Sequence, residues 1–178
     1  MENQCTEALN ALTKTGINFV AVDFDMTLIS MHTSGQYQGT PVELAKLIRP
    51  CFLLMIPCLV AKNIAVAIVT FSDQTKLIRD VIRIGFPYHF SKIVIRTSDK
   101  SWGDMGIQDS HGKQKYIASA AEDSEHIFKL DIKRSSTLLI DDHQQNIRIS
   151  LKSGVRALLF IPENPNSIFG EMIQLNRT

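Results

Sequence analysis

Five short apolar runs rich in valine, isoleucine and leucine recur along the chain, at residues 17–22, 64–69, 92–95, 137–140 and 155–161. They are continuous rather than alternating, as in strands covered on both faces, and segments with helical spacing separate them. The alternation predicts an α/β class built on a parallel sheet. Thr40-Pro41-Val42-Glu43 reads as a helix start, with a capping threonine, a proline at the first helical position and a glutamate reaching back to an orphan backbone donor. Leu44, Leu47 and Ile48 continue one face, and Pro50 breaks or restarts the helix before an apolar stretch over 52–60. Ser72, with Asp73 beside it, is expected to cap a helix carrying Leu77, Ile78, Val81 and Ile82. Gly85 should then take the left-handed position at the end of that helix, as Gly154 should after Ile147, Ile149 and Leu151.

Two polar stretches depart from the alternation. Residues 30–39, within a flap expected over 28–40, hold two glycines and read as a small hairpin directly after the first strand. Residues 97–112 form a long connection rich in Gly, Asp and Ser, of a length that tends to be functional or mobile inside a compact domain. No repeat and no low-complexity tract interrupts the pattern. A chain of 178 residues with this organisation is expected to be one domain, 1–178, with its core over 17–160.

Composition removes several classes of function. A hydrophobic fraction of 44% argues against disorder. The net charge of +1, from 19 basic and 18 acidic residues without a block of either sign, gives no sign of a dedicated nucleic-acid binder. Three cysteines, Cys5, Cys51 and Cys58, are an odd number without CxxC spacing, which argues against a disulfide scaffold and a zinc site and for a reducing compartment such as the cytoplasm. The first residues lack the apolar region of a signal peptide. The most apolar stretch, 51–60, falls short of the roughly 20 residues that span a bilayer, so no membrane role is expected.

The chemistry lies where polar residues end the apolar runs. Asp23 and Asp25 follow the first, Thr70 ends the second, Asp141-Asp142 end the fourth, and Lys113 and Lys115 open the helix after the long connection. Each falls at the carboxyl edge of the sheet, where open α/β sheets bind ligands. Several carboxylates in one crevice cannot all stay ionised without a cation, and oxygen donors alone favour Mg²⁺, which keeps waters that a substrate phosphate can replace. A threonine hydroxyl, a backbone N–H beyond it and a lysine complete the parts of a phosphoryl-transfer site.

In order and placement, Asp23-Phe24-Asp25-Met26-Thr27-Leu28, Thr70 after Ala65-Val66-Ala67-Ile68-Val69, a following lysine and Leu138-Leu139-Ile140-Asp141-Asp142 resemble the four motifs of the haloacid dehalogenase (HAD) superfamily. The resemblance covers roughly residues 17–160. It implies a three-layer Rossmann-like fold with a central parallel five-stranded sheet in the order 5-4-1-2-3, helices on both faces and no separate cap domain. It also implies a Mg²⁺-dependent phosphatase in which Asp23 is the nucleophile and Asp25 the general acid and base, which also lends its backbone carbonyl to the metal. Asp142 then ligates Mg²⁺ directly, and Asp141 holds a metal-bound water. Asn146 stands where the family's motif ends in Asp, which puts only that supporting role in doubt. For the lysine, Lys113 has the expected offset before Tyr116-Ile117, with Lys115 the alternative. The compact layout and the Asp-Asp pair look most like the magnesium-dependent phosphatase branch. An open site without a cap implies a large phosphorylated substrate such as a phosphoprotein, or a lid from another subunit; a small phosphomonoester is the other substrate class.

Two other classes of protein fit some of these residues. A receiver module also gathers acids, a threonine, a lysine and Mg²⁺, but it carries its adjacent acid pair after the first strand, not the fourth. A HAD-fold interaction module would use the 97–112 connection to hold a partner. Among lesser candidates, Cys51 and Cys58 read as core, His143 lacks a second histidine at ligand spacing, Tyr37 suits a site rim, and Trp102 either contacts substrate or packs its loop down.

Overall fold

A computed structural model describes residues 1–99, 102 and 111–175. The five apolar runs become strands β1 (Phe19–Val22), β2 (Ala65–Val69), β3 (Ile93–Arg96), β4 (Thr137–Asp141) and β5 (Arg156–Leu159). All pair in parallel, in the order β3-β2-β1-β4-β5, which is the expected order read from its other edge. The register sets Val22 opposite Ile68 on one side and Ile140 on the other, so β1, β2 and β4 end at nearly one level. The three central strands are buried along their whole length, which is why their sequences do not alternate.

The helices are α1 (Glu2–Lys14), α2 (Pro41–Ala45), α3 (Pro50–Ala61), α4 (Thr75–Gly85), α5 (Gln114–Phe128), α6 (Gln144–Lys152) and α7 (Ser167–Gln174). They lie on both faces of the sheet. Helix α5 lies over β2 and β3 and α6 over β4 and β5, while α3 packs on β2 with α1 beside it, and α7 packs on α1 and β5. The cap at Thr40 forms as expected: Thr40 Oγ1 accepts from Glu43 N, and Glu43 Oε2 accepts from Thr40 N at 2.8 Å. Gly154 takes the left-handed backbone, with φ +79°.

Several local expectations are corrected. Ser72 does not cap α4; the helix starts later, with Gln74 at the cap position, and Ser72 Oγ accepts from Gln74 N at 3.3 Å. Gly85 ends the helix without positive φ. Its constraint is packing instead, because a Cβ there would press on the end of the Ile48 side chain, which would have to move aside. The 28–40 segment contains no hairpin; Ile29 instead makes a single antiparallel bridge to Ile48. Most of the 97–112 connection lies outside the described residues. Helices α1 and α7 lie beyond the expected 17–160 core, yet Cys5, Leu9, Leu12, Ile168, Phe169 and Met172 all join the main hydrophobic cluster.

Candidate active site

Beyond Val22 the chain turns sharply. Leu28 N donates to Asp23 O at 3.2 Å and Ile29 N to Phe24 O at 3.0 Å, a turn one residue wider than an α-helix, with Met26 at φ +56° in its middle. A non-glycine residue in that region is uncommon, and other contacts hold it there. Met26 N donates to Met31 O at 3.0 Å, and Arg49 Nη2 donates to Met26 O at 3.1 Å. Arg49 is itself buried, with Nη1 on Pro162 O at 3.0 Å and its guanidinium over the Phe160 ring. The turn brings both Asp23 and Asp25 to a cavity of about 810 Å³ that Thr70, Lys113, Asp141 and Asp142 also line.

Asp23, Asp141 and Asp142 each place a carboxylate oxygen within 4.8 Å of the others, and among the described residues they form the acidic group suited to a metal. The Asp25 carboxylate stands outside it, bound through both oxygens to Thr33 Oγ1 at 2.8 and 2.9 Å. Lys113 is 2% exposed and contacts Asp23, with Nζ also 2.8 Å from Asp141 Oδ2. Lys115 lies on the exposed side of α5. Both oxygens of Asp141 are engaged, Oδ1 by His143 N at 2.8 Å and Oδ2 by Asn146 Nδ2 at 2.9 Å as well as by Lys113. Asp142 is freer: its Oδ1 accepts from Thr27 Oγ1 at 3.2 Å, and the same hydroxyl accepts from Asp142 N at 3.1 Å. Thr70 follows the last residue of β2, with its hydroxyl accepting from Ser72 N at 3.2 Å.

The architecture is shared, along most of both chains, with a solved domain. The HAD domain of the effector protein Lem4 from Legionella pneumophila, an inactive mutant, superposes with a TM-score of 0.51 at 13% identity, covering 89% of this chain and 92% of that chain. This is the fold of a HAD domain. No family model and no curated protein matches the chain.

The electrostatics of this HAD-fold crevice follow from its charges. Burial, with Asp141 and Asp142 alongside, pushes the Asp23 carboxyl up to about 7 against the opposing pull of Lys113. Burial also works against the Lys113 charge, but Asp23 and Asp141 outweigh it and hold its pKa above the ordinary lysine value. Three clustered carboxylates facing one ammonium leave an excess of negative charge. Such an oxygen-only donor set fits a hard divalent cation.

The lesser candidates are also placed. Trp102 packs on described residues of the domain: Nε1 donates to Thr97 O at 2.8 Å and the ring lies against Tyr116. Tyr37 lines a shallow recess beside the cavity rather than the cavity itself, and His143 lines the cavity but is not part of the acidic group. Sequence reasoning missed Thr33 and Gln74, whose contacts depend on how the 30–39 segment folds. It also missed Arg49, although an arginine at the border of the most apolar stretch was a visible signal.

Proposed function

We propose that this chain hydrolyses phosphomonoesters with Mg²⁺, through an aspartyl-phosphate on Asp23. The observation that carries the reading is the Asp23 carboxylate at the end of the central strand, touching Lys113 and lining one cavity with Thr70, Asp25 and the Asp141-Asp142 pair. Asp23, Asp142 and the backbone carbonyl of Asp25 would hold the ion, with Asp141 behind them anchoring Lys113. The ion supplies charge neutralisation for the transferring phosphoryl group.

In the first step an Asp23 oxygen attacks phosphorus, the bond to the leaving oxygen breaks, and the proton on Asp25 passes to that oxygen. In the second, Asp25 takes a proton from water as the water oxygen attacks phosphorus, and the bond to Asp23 breaks to release phosphate. Throughout, the Thr70 hydroxyl, the backbone N–H that follows it and the Lys113 ammonium bind phosphoryl oxygens. We place the chain nearest the magnesium-dependent phosphatase branch, acting in the cytoplasm on a phosphoprotein or another large phosphorylated substrate that reaches the open cavity. Among the described residues no helix is long and apolar enough to cross a membrane.

The test is hydrolysis of p-nitrophenyl phosphate by wild type, Asp23→Asn and Asp25→Asn, with Mg²⁺ and with EDTA. Turnover should require Mg²⁺, vanish in Asp23→Asn and fall by about 100-fold or more in Asp25→Asn. Folded Asp23→Asn protein with wild-type activity ends the proposal.

A further inference from the structure

The contact between Asp25 and Thr33 plays no part in the two chemical steps above. Thr33 is 7% exposed, and its Oγ1 lies 2.8 and 2.9 Å from the two Asp25 oxygens. The segment that carries it is held in place. Gln36 N donates to Thr33 O at 3.0 Å across a turn whose Ser34 and Gly35 both have positive φ. One residue on, the Gln74 side-chain amide grips the Tyr37 backbone twice, with Tyr37 N on Gln74 Oε1 and Gln74 Nε2 on Tyr37 O, each at 2.9 Å. Gln74 N reaches Ser72 Oγ, and Ser72 N reaches Thr70 Oγ1. Hydrogen bonds and short stretches of backbone thus tie Asp25, Thr33, Tyr37, Gln74, Ser72 and Thr70 together beside the cavity.

We propose that Thr33 is a positioning residue that fixes the Asp25 carboxyl for proton transfer to the leaving oxygen, with Gln74 clamping the segment that presents it. The inference rests on the phosphatase reading above. A hydroxyl has one proton to donate, so of the two Asp25 oxygens beside Thr33 Oγ1 only one accepts it at a time, and the other keeps a lone pair for the transferable proton. Near 3 Å a misplaced proton donor loses much of its effect, and the loss is greatest where the departing oxygen most needs a proton.

The experiment compares kcat/KM for phenyl phosphate and p-nitrophenyl phosphate, esters of nearly equal size whose leaving groups differ in basicity. Thr33→Val, which keeps the shape and removes the hydroxyl, should lower kcat/KM for phenyl phosphate by roughly 10- to 100-fold and for p-nitrophenyl phosphate by under about threefold. Thr33→Ser should restore the phenyl phosphate rate. Gln74→Met, which keeps the Thr33 hydroxyl but removes the clamp on its segment, guards against a Thr33→Val protein that fails to fold and should show a smaller loss with the same selectivity. Equal losses on both esters, or none, in variants that melt like wild type overturn the positioning role while leaving the phosphatase standing. A folded wild type inactive on both esters removes the phosphatase reading and this inference with it.

Discussion

Metal removal at alkaline pH should expose the cost of gathering acids around Asp23. Its carboxyl stands at about 7 in the folded protein, against an ordinary value of 3.8, chiefly because it is buried. For an acid whose folded value is raised, the folded state keeps a proton that the unfolded chain has released. Its contribution to stability is therefore full below the unfolded value and is lost as pH rises through about 7. Each tenfold difference in proton affinity between the folded and unfolded states corresponds to about 1.4 kcal/mol, so the whole window spans about 4 kcal/mol. The part lost between about pH 5.5 and about pH 8 comes to about 2 kcal/mol. Urea unfolding followed by circular dichroism, in EDTA at both pH values, measures it. Asp23→Asn serves as the reference, because its amide cannot titrate and subtracting it cancels the five histidines. Wild type should lose about 2 kcal/mol more than Asp23→Asn between the two pH values, and saturating Mg²⁺ should recover stability at the higher pH by mass action. An equal decline in the two proteins refutes the reasoning.

Two more substitutions test how the crevice is held. Lys113→Met leaves Asp23 and Asp141 buried without their shared cation, and should cost about 3 to 5 kcal/mol in EDTA, read by urea unfolding, while abolishing turnover. Arg49→Met removes the donors to Met26 O and Pro162 O and the contact with Phe160; it should cost about 1 to 3 kcal/mol and lower kcat more than it changes KM, because Met26 sits between Asp25 and Thr27.

The sheet was legible because continuous apolar runs have few alternatives to buried parallel strands, and the strand ends carried the candidate site with them. Asp23, Thr70 and Asp141 stood out as polar residues ending apolar runs, and the register of β1 with β2 and β4 is what brings those ends together. The choice between Lys113 and Lys115 was open in the sequence, where both sit at a helix entrance; burial separates them, with Lys113 against the acids and Lys115 on the exposed side. Helix α1 has the helical spacing of Cys5, Ala8, Leu9 and Leu12, but its place depends on α7 and α3, partners distant in sequence. Gly85 was misread because glycine serves both positive φ and close packing, and only the nearness of Ile48 decides between them. Thr33 carried no local signal at all, since its meeting with Asp25 depends on a segment held by Gln74.

The position of β1 between β2 and β4 also shapes how this protein comes into being. During synthesis Asp23 leaves the ribosome well before strand β4 and the Asp141-Asp142 pair at its end. Until β4 seats beside β1, one edge of β1 stands unpaired and the three carboxylates are apart. The three-carboxylate group therefore exists only once β4 is seated in the sheet, and a chain that has not yet made β4 lacks it.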